Sequence, residues 1–135
     1  MVFVVKVKPE TKKKYRNEPM MVDGIKFDSK KEARRYQELL MQIKAGLIFD
    51  LKVKPKFKIM VLGQSLCNYT ADFSYEETIF PATGLVDGSF VETKILVVED
   101  TKGKDPKTGW DTRTPVYNLK KRLMRIVFGI EVRET

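Results

Sequence analysis

The chain of 135 residues contains no histidine, a single cysteine and a single tryptophan. Without histidine there is no imidazole general base, no Ser-His-Asp triad and no histidine metal ligand, which leaves carboxylates, lysine and metal-bound water as hydrolytic equipment. One cysteine, Cys67, excludes an internal disulfide and any multi-cysteine zinc cluster. No apolar run approaches the roughly 18 residues needed to span a bilayer. The opening Met1-Val2-Phe3-Val4-Val5 is too short for the apolar core of a signal peptide. Repeats and low-complexity tracts are also missing. These absences point to a soluble, intracellular, cytoplasmic protein with no membrane partner.

What is present is cationic. Lysine and arginine number 26 against 18 acids, a formal charge of +8, and such an excess argues for an anionic partner such as nucleic acid. The charges are spread along the chain, which favours a basic surface over a disordered basic arm. The length suits one domain with a self-sufficient core and not two.

The stretch around which the chain is organised is Ile95-Leu96-Val97-Val98-Glu99-Asp100-Thr101-Lys102-Gly103. Its apolar run reads as a buried strand with charges only at its exit. Alternate side chains of a strand share a face, about 6.5–7 Å apart, so Asp100 and Lys102 emerge together while Glu99 and Thr101 point the other way. Upstream, Tyr69-Thr70-Ala71-Asp72-Phe73-Ser74-Tyr75 reads as a second strand, its aromatics and Ala71 on one side and Asp72 its only charge. If the strands are neighbours, both aspartates meet. Two carboxylates beside a lysine suit a Mg²⁺ site for phosphodiester hydrolysis, with Mn²⁺ substituting, because hard oxygen ligands hold the hard cation and the cation polarises phosphate and activates water.

At these residues the chain resembles the PD-(D/E)XK nuclease superfamily. Asp72 matches its first aspartate, Asp100-Thr101-Lys102 its (D/E)-x-K, and Glu32, on the segment Phe27–Tyr36, the acid of a preceding helix. The order Glu32, Asp72, Asp100, Lys102 resembles small phage-encoded Holliday-junction-resolvase-like endonucleases, over Lys14 to about Ile130. Residue 71 is alanine where the superfamily's name has proline, which is not a ligand. The resemblance implies an α/β fold with a restriction-endonuclease-like core, a mixed central sheet flanked by one helix before it and one after. It further implies a Mg²⁺-dependent endonuclease, with Asp72 and Asp100 as metal ligands, Glu32 adding a ligand or positioning a water, the Thr101 carbonyl coordinating, and Lys102 serving the attacking water and the phosphate. Branched DNA is the expected substrate, with flap or single-stranded DNA as alternatives. Two symmetric cuts in a four-way junction require a two-fold homodimer. A non-catalytic DNA-binding module, in which the acids and Lys102 form a structural ion-pair network, stands as the rival reading.

The rest of the chain is read around this site as a single domain, residues 1–28 forming an N-terminal strand, basic segment and hairpin and 29–132 the core. Phe3–Val7 reads as a strand. Lys12–Asn17, with Lys14 and Arg16, reads either as an arm on a phosphate backbone or as a solvated loop, and the resemblance favours the arm. Asp23-Gly24 between apolar residues signals a hairpin. Ser29 begins a helix to about Ala45, stopped by Gly46. Ser29-Lys30-Lys31-Glu32 is a capping box, yet Glu32 also falls within the arc of the apolar stripe Tyr36, Leu39, Leu40 and Ile43, so it either serves the site, alongside a cap, or only caps the helix, the first reading being preferred.

Lys52–Ile59 alternates basic and apolar residues around Pro55, as an edge strand or a break between two strands, and its lysines serve either edge protection or DNA contact. Residues 76–94 read as an inserted hairpin or loop. Trp110, on a loop after the motif, is expected to pack on its own domain, the other role being to stack on an unpaired base. Thr114-Pro115 starts a second helix, ended by Gly129, with Val116, Leu119, Leu123, Ile126 and Val127 expected inward. Ile130–Val132 reads as a closing strand. The similar phage proteins keep a Tyr-x-x-Lys-Lys pattern matched by Tyr117, Lys120 and Lys121, which are named as DNA contacts together with Lys14, Arg16, Lys30, Lys104 and Arg113.

Overall fold

The computed structural model describes residues 19–79, 85–86, 89–90, 93–104 and 106–135. The expected strand at Phe3–Val7 and the basic residues Lys14 and Arg16 lie outside the described residues.

Two short strands, β1 (Met20–Val22) and β2 (Ile25–Phe27), form the expected hairpin. Its turn holds Asp23 and Gly24 at φ of 51° and 75°, the left-handed pair that a two-residue hairpin demands and that Asp-Gly supplies at little cost. Helix α1 (Lys30–Lys44) follows, with the Ser29 hydroxyl accepting from the Glu32 N–H at 3.2 Å. Ala33, Tyr36 and Leu39, spaced to fall on one face, are its buried residues.

Next comes a long β-ribbon that changes direction halfway. β3 (Ile48–Val53) and β4 (Lys56–Val61) run out; β5 (Gln64–Thr70) and β6 (Phe73–Ile79) return. β3 pairs with β6 and β4 with β5, both antiparallel. The expectation of one strand across Tyr69–Tyr75 is corrected: it breaks at Ala71-Asp72, opposite the break at Lys54-Pro55. Proline has no N–H for a ladder and Lys54 sits at a φ of 53°, so the outgoing strand cannot continue. The returning strand bends with it, tied by Lys54 N–H to the Asp72 carbonyl at 2.9 Å and Ala71 N–H to the Pro55 carbonyl at 3.1 Å. Asp72 therefore sits at a kink, a position that alternation alone does not reveal.

From β6 the chain reaches a small hairpin, β7 (Leu85–Val86) with β8 (Ser89–Phe90), and returns as β9 (Thr93–Asp100), antiparallel to β6. The two ends of the 76–94 segment thus belong to this β6–β9 pair. Helix α2 (Pro115–Phe128) follows, capped by the Thr114 hydroxyl and closed by Gly129 at a φ of 68°. The closing strand β10 is Arg133–Glu134 and not Ile130–Val132, because the Ile130 N–H is spent on the Met124 carbonyl that ends the helix. It runs parallel to β9, giving a mixed four-stranded sheet in the order β10-β9-β6-β3.

Two apolar clusters form the core. Phe27, Ala33, Tyr36, Leu39, Ile48, Phe73, Tyr75 and Val97 gather on the α1 side. Ile59, Tyr69, Ala71, Val98, Tyr117, Met124 and Val132 gather on the α2 side. Adjacent residues Val97 and Val98 serve opposite clusters, so β9 is sandwiched between layers. The burial of β9 differs from expectation: Ile95 and Leu96 are exposed while Val97, Val98, Glu99 and Asp100 are buried. The layers cover only the exit half of the strand, where the charges are partnered.

Helix α2 also turns differently from its hydrophobic pattern. Tyr117 and Met124 are its buried residues, whereas Val116, Leu119, Ile126 and Val127 are exposed and Leu123 only partly buried. The reason is what the β4–β5 arm offers: the Tyr69 ring lies 6.5 Å from that of Tyr117 and the Phe57 ring 6.3 Å from that of Phe128, which sets the helix face. Among the described residues, no helix is long and apolar enough to cross a membrane.

Candidate active site

Strand alternation decides which acid of the Glu99-Asp100 pair is available. Glu99 points toward α1 and is fully buried. Arg35 grips it through Nε to Oε1 at 2.6 Å and Nη2 to Oε2 at 2.9 Å, and the Tyr75 hydroxyl donates to Oε2 at 2.5 Å. Three charge-assisted or short hydrogen bonds hold it within the protein, which makes Glu99 an anchor for the strand. Asp100 points the other way. Its Oδ1 lies 3.1 Å from Lys102 Nζ, and its Oδ2 accepts from the Tyr69 hydroxyl at 2.6 Å.

Lys102 is held from below as well. Its ammonium sits 4.0 Å from the centroid of the Tyr117 ring, an arrangement in which the ring's negative face stabilises the cation. The Tyr117 hydroxyl donates in turn to Glu134 at 3.2 Å. Register is locked by β10: Lys102 N–H donates to the Thr135 carbonyl and Thr135 N–H to the Asp100 carbonyl, each at 3.0 Å. From α1, Lys31 Nζ donates to the carbonyls of Lys102 and Thr135.

Asp72 reaches the same place from the kink. Its N–H donates to the Glu99 carbonyl at 3.1 Å, and its Oδ2 accepts from the Thr101 N–H at 2.6 Å. Its carboxyl stands beside that of Asp100, close enough for the two charges to repel. Burial, followed by repulsion from Asp100 and Glu32, pushes the Asp72 carboxyl well above the usual carboxylate range. Two acids expected from different strands to meet do so. Glu32 stands farther off, at the start of α1, where its Oε2 accepts from the Asp28 N–H at 3.4 Å. Burial and then the Asp28 charge raise its pKa, and Asp100 contributes more weakly. The cap itself is Ser29; the Glu32 carboxylate reaches past it to the preceding residue while feeling the field of the aspartates.

These groups open onto a cleft of about 380 Å³ lined by Asp72, Asp100 and Lys102 together with Tyr69, Tyr117 and Lys120. Of the cations named from the sequence, Lys120 lines this cleft. Arg113 and Lys121 are bound to Glu134 at 2.7 and 3.0 Å, and Arg113 also to Asp111 at 3.0 Å. Lys104 forms a β-bridge with Asp111, and Lys30 is exposed on the first turn of α1. Trp110 is 48% exposed.

Among the described residues, no group of three or more acids, cysteines or histidines stands close enough to hold a metal ion as arranged. The Asp72–Asp100 pair nevertheless fits a hard divalent cation, since Mg²⁺ at phosphate-processing sites takes one or two carboxylates and completes its shell with water and phosphate. Burial and the repulsion that Asp72 feels from Asp100 and Glu32 oppose its negative charge, and a bound cation would relieve that repulsion.

Sequence reasoning passed over Tyr69, Arg35 and Lys31. A buried tyrosine hydroxyl needs a partner, so the alternation that set Tyr69, Ala71, Phe73 and Tyr75 on one side of the run carried a usable signal. Nothing in the sequence marks Lys31.

Fold and site together define an α/β protein with a paired-aspartate, lysine-bearing cleft at the end of a mixed sheet. The chain belongs to the family described as Protein of unknown function (DUF1064), which matches residues 12–133. No curated protein and no solved structure matches it.

Proposed function

We propose that this protein is a divalent-metal-dependent endodeoxyribonuclease of the PD-(D/E)XK type, with a restriction-endonuclease-like core, acting on phosphodiester bonds of branched DNA in the cytoplasm. The observation that carries the reading is the convergence of Asp72, from the kink between β5 and β6, and Asp100, from the end of β9, beside Lys102 in one open cleft. Asp72 and Asp100 would hold Mg²⁺ or Mn²⁺, with the nearby Glu32 charge supporting the site. Bound there, the cation would supply neutralisation of the phosphate and a lowered pKa for water. Tyr69 orients Asp100, while the Thr101 N–H fixes Asp72. Lys102, seated on the Tyr117 ring, is a fixed positive charge for the phosphate oxygens, and Lys120 extends the positive wall of the cleft. The basic surplus of the chain supplies attraction to the DNA backbone.

The test is cleavage of end-labelled four-way junction and matching linear duplex in Mg²⁺, with Asp100→Ala and Lys102→Ala alongside. Paired nicks in the junction that vanish in both variants are expected. Equal cutting of every DNA would keep the nuclease and remove the preference for branched substrate, including over flap or single-stranded DNA. One observation favours a second reading, a non-catalytic DNA-binding module: Lys102 already pairs with Asp100, and among the described residues no third acid stands close enough to complete a metal-binding group. DNA binding with no cleavage in Mg²⁺ or Mn²⁺ would select it.

A further inference from the structure

Helix α2 is built in three sectors. Tyr117 and Met124 face the core; Lys121, Arg122 and Arg125 lie on one flank; Val116, Leu119, Leu123, Ile126 and Val127 occupy the rest, an arc of about 100° at 100° per residue. Val116, Leu119 and Ile126 are 60, 57 and 70% exposed. Positions 116, 119, 123 and 126 follow the 3-4-3 spacing of a coiled-coil seam. That spacing reads the same from either end. A two-fold axis near position 121 therefore sets Val116 of one copy beside Ile126 of the other, and Leu119 beside Leu123.

We propose that the protein forms a two-fold dimer through antiparallel pairing of α2 along this seam. The exposed side chains of the arc present on the order of 400 Å² of apolar surface per copy, within the range of the largest patch on a typical monomer, which is often functional. With the stems of Lys120 and Arg122 packed beside it, the pair buries about 1,000 Å², where specific interfaces begin. Charge is compatible with a second copy. Lys121 is turned onto Glu134, and Arg125 lies on the flank of the helix about 100° or more from the seam, near Glu131. Lys120 and Arg122 flank the seam and repel their counterparts weakly, a repulsion that salt screens. Association should therefore tighten as salt rises, opposite to binding of DNA. Val116 and Lys120 also line the cleft, so the second copy adds a wall to it. The dimer does not depend on the nuclease reading, although it would present two clefts related by two-fold symmetry.

Sedimentation equilibrium of the full chain at low and high salt tests the proposal. The expected result is a dimer that strengthens with salt. Leu119→Glu and Ile126→Glu, at positions exposed in the single chain, should weaken it on the order of 100-fold, because each charge enters the seam twice, while circular dichroism spectra show the fold retained. With Cys67→Ser as background, the double variant Val116→Cys/Ile126→Cys should form an intermolecular disulfide. A wild type that stays monomeric at high salt overturns the proposal, as does a dimer indifferent to both glutamates. Protection of the stripe only on adding duplex DNA would also overturn it and assign the face to DNA.

Discussion

Arg35→Met tests whether Glu99 anchors the strand that carries the site. The substitution keeps the aliphatic stem and removes both hydrogen bonds, at 2.6 and 2.9 Å, to a carboxylate with no solvent exposure. Removing one partner of a buried pair costs ~3–5 kcal/mol, since the remaining charge keeps its desolvation penalty. The lower end applies because the Tyr75 hydroxyl still donates to Glu99 at 2.5 Å and Arg35 is itself 21% exposed. A loss of about 3 kcal/mol, at about 4 °C per kcal/mol for a domain of this size, lowers Tm by about 12 °C. Thermal and urea melts followed by circular dichroism measure it. Arg34→Met, at an exposed neighbouring position, is the control and should lie within ~0.5 kcal/mol of wild type. Arg35→Met/Glu99→Met should recover most of the loss, because a buried pair replaced by apolar side chains is close to neutral. If Arg35→Met stays within ~1 kcal/mol of wild type, the anchoring argument fails.

Asp72→Asn in metal-free buffer should raise stability by about 1 kcal/mol, because the amide oxygen still accepts from Thr101 N–H while the substitution removes a charge that burial and the neighbouring acids oppose. The same change should abolish any rise of Tm on adding Mn²⁺ and cut cleavage at least ~100-fold; destabilisation in EDTA would count against the paired-acid description. Glu134 supplies a pH prediction. Burial pushes its pKa up, but hydrogen bonds from Arg113 and Lys121 outweigh that and hold it at about 2. A depressed carboxylate contributes stability that is complete above its ordinary value near 4.5 and is lost as pH falls through about 2. Acid titration of unfolding should therefore show a smaller decline across that window in Glu134→Gln than in wild type.

Local chemistry made much of the fold legible. Asp23-Gly24, Ser29 with Gly46, and Thr114-Pro115 with Gly129 each state a turn or a helix end in residues whose φ preference or side-chain hydrogen bond acts within a few positions. Alternation along β9 likewise separated Glu99 from Asp100 and put Asp100 with Lys102 on one face, since a strand's period of two holds wherever it is placed. Tertiary structure alone decided the rest. A single apolar-alternating run became two strands at Asp72 because the facing strand breaks at Pro55, a cause about 17 positions away in sequence. The orientation of α2 was equally out of reach: its hydrophobic pattern marks a stripe for burial, but the rings of Tyr69 and Phe57 chose Tyr117 and Phe128 as its neighbours and left the stripe outside. Periodicity records which residues gain from burial, whereas the surface that buries them is set by distant parts of the chain or by another molecule.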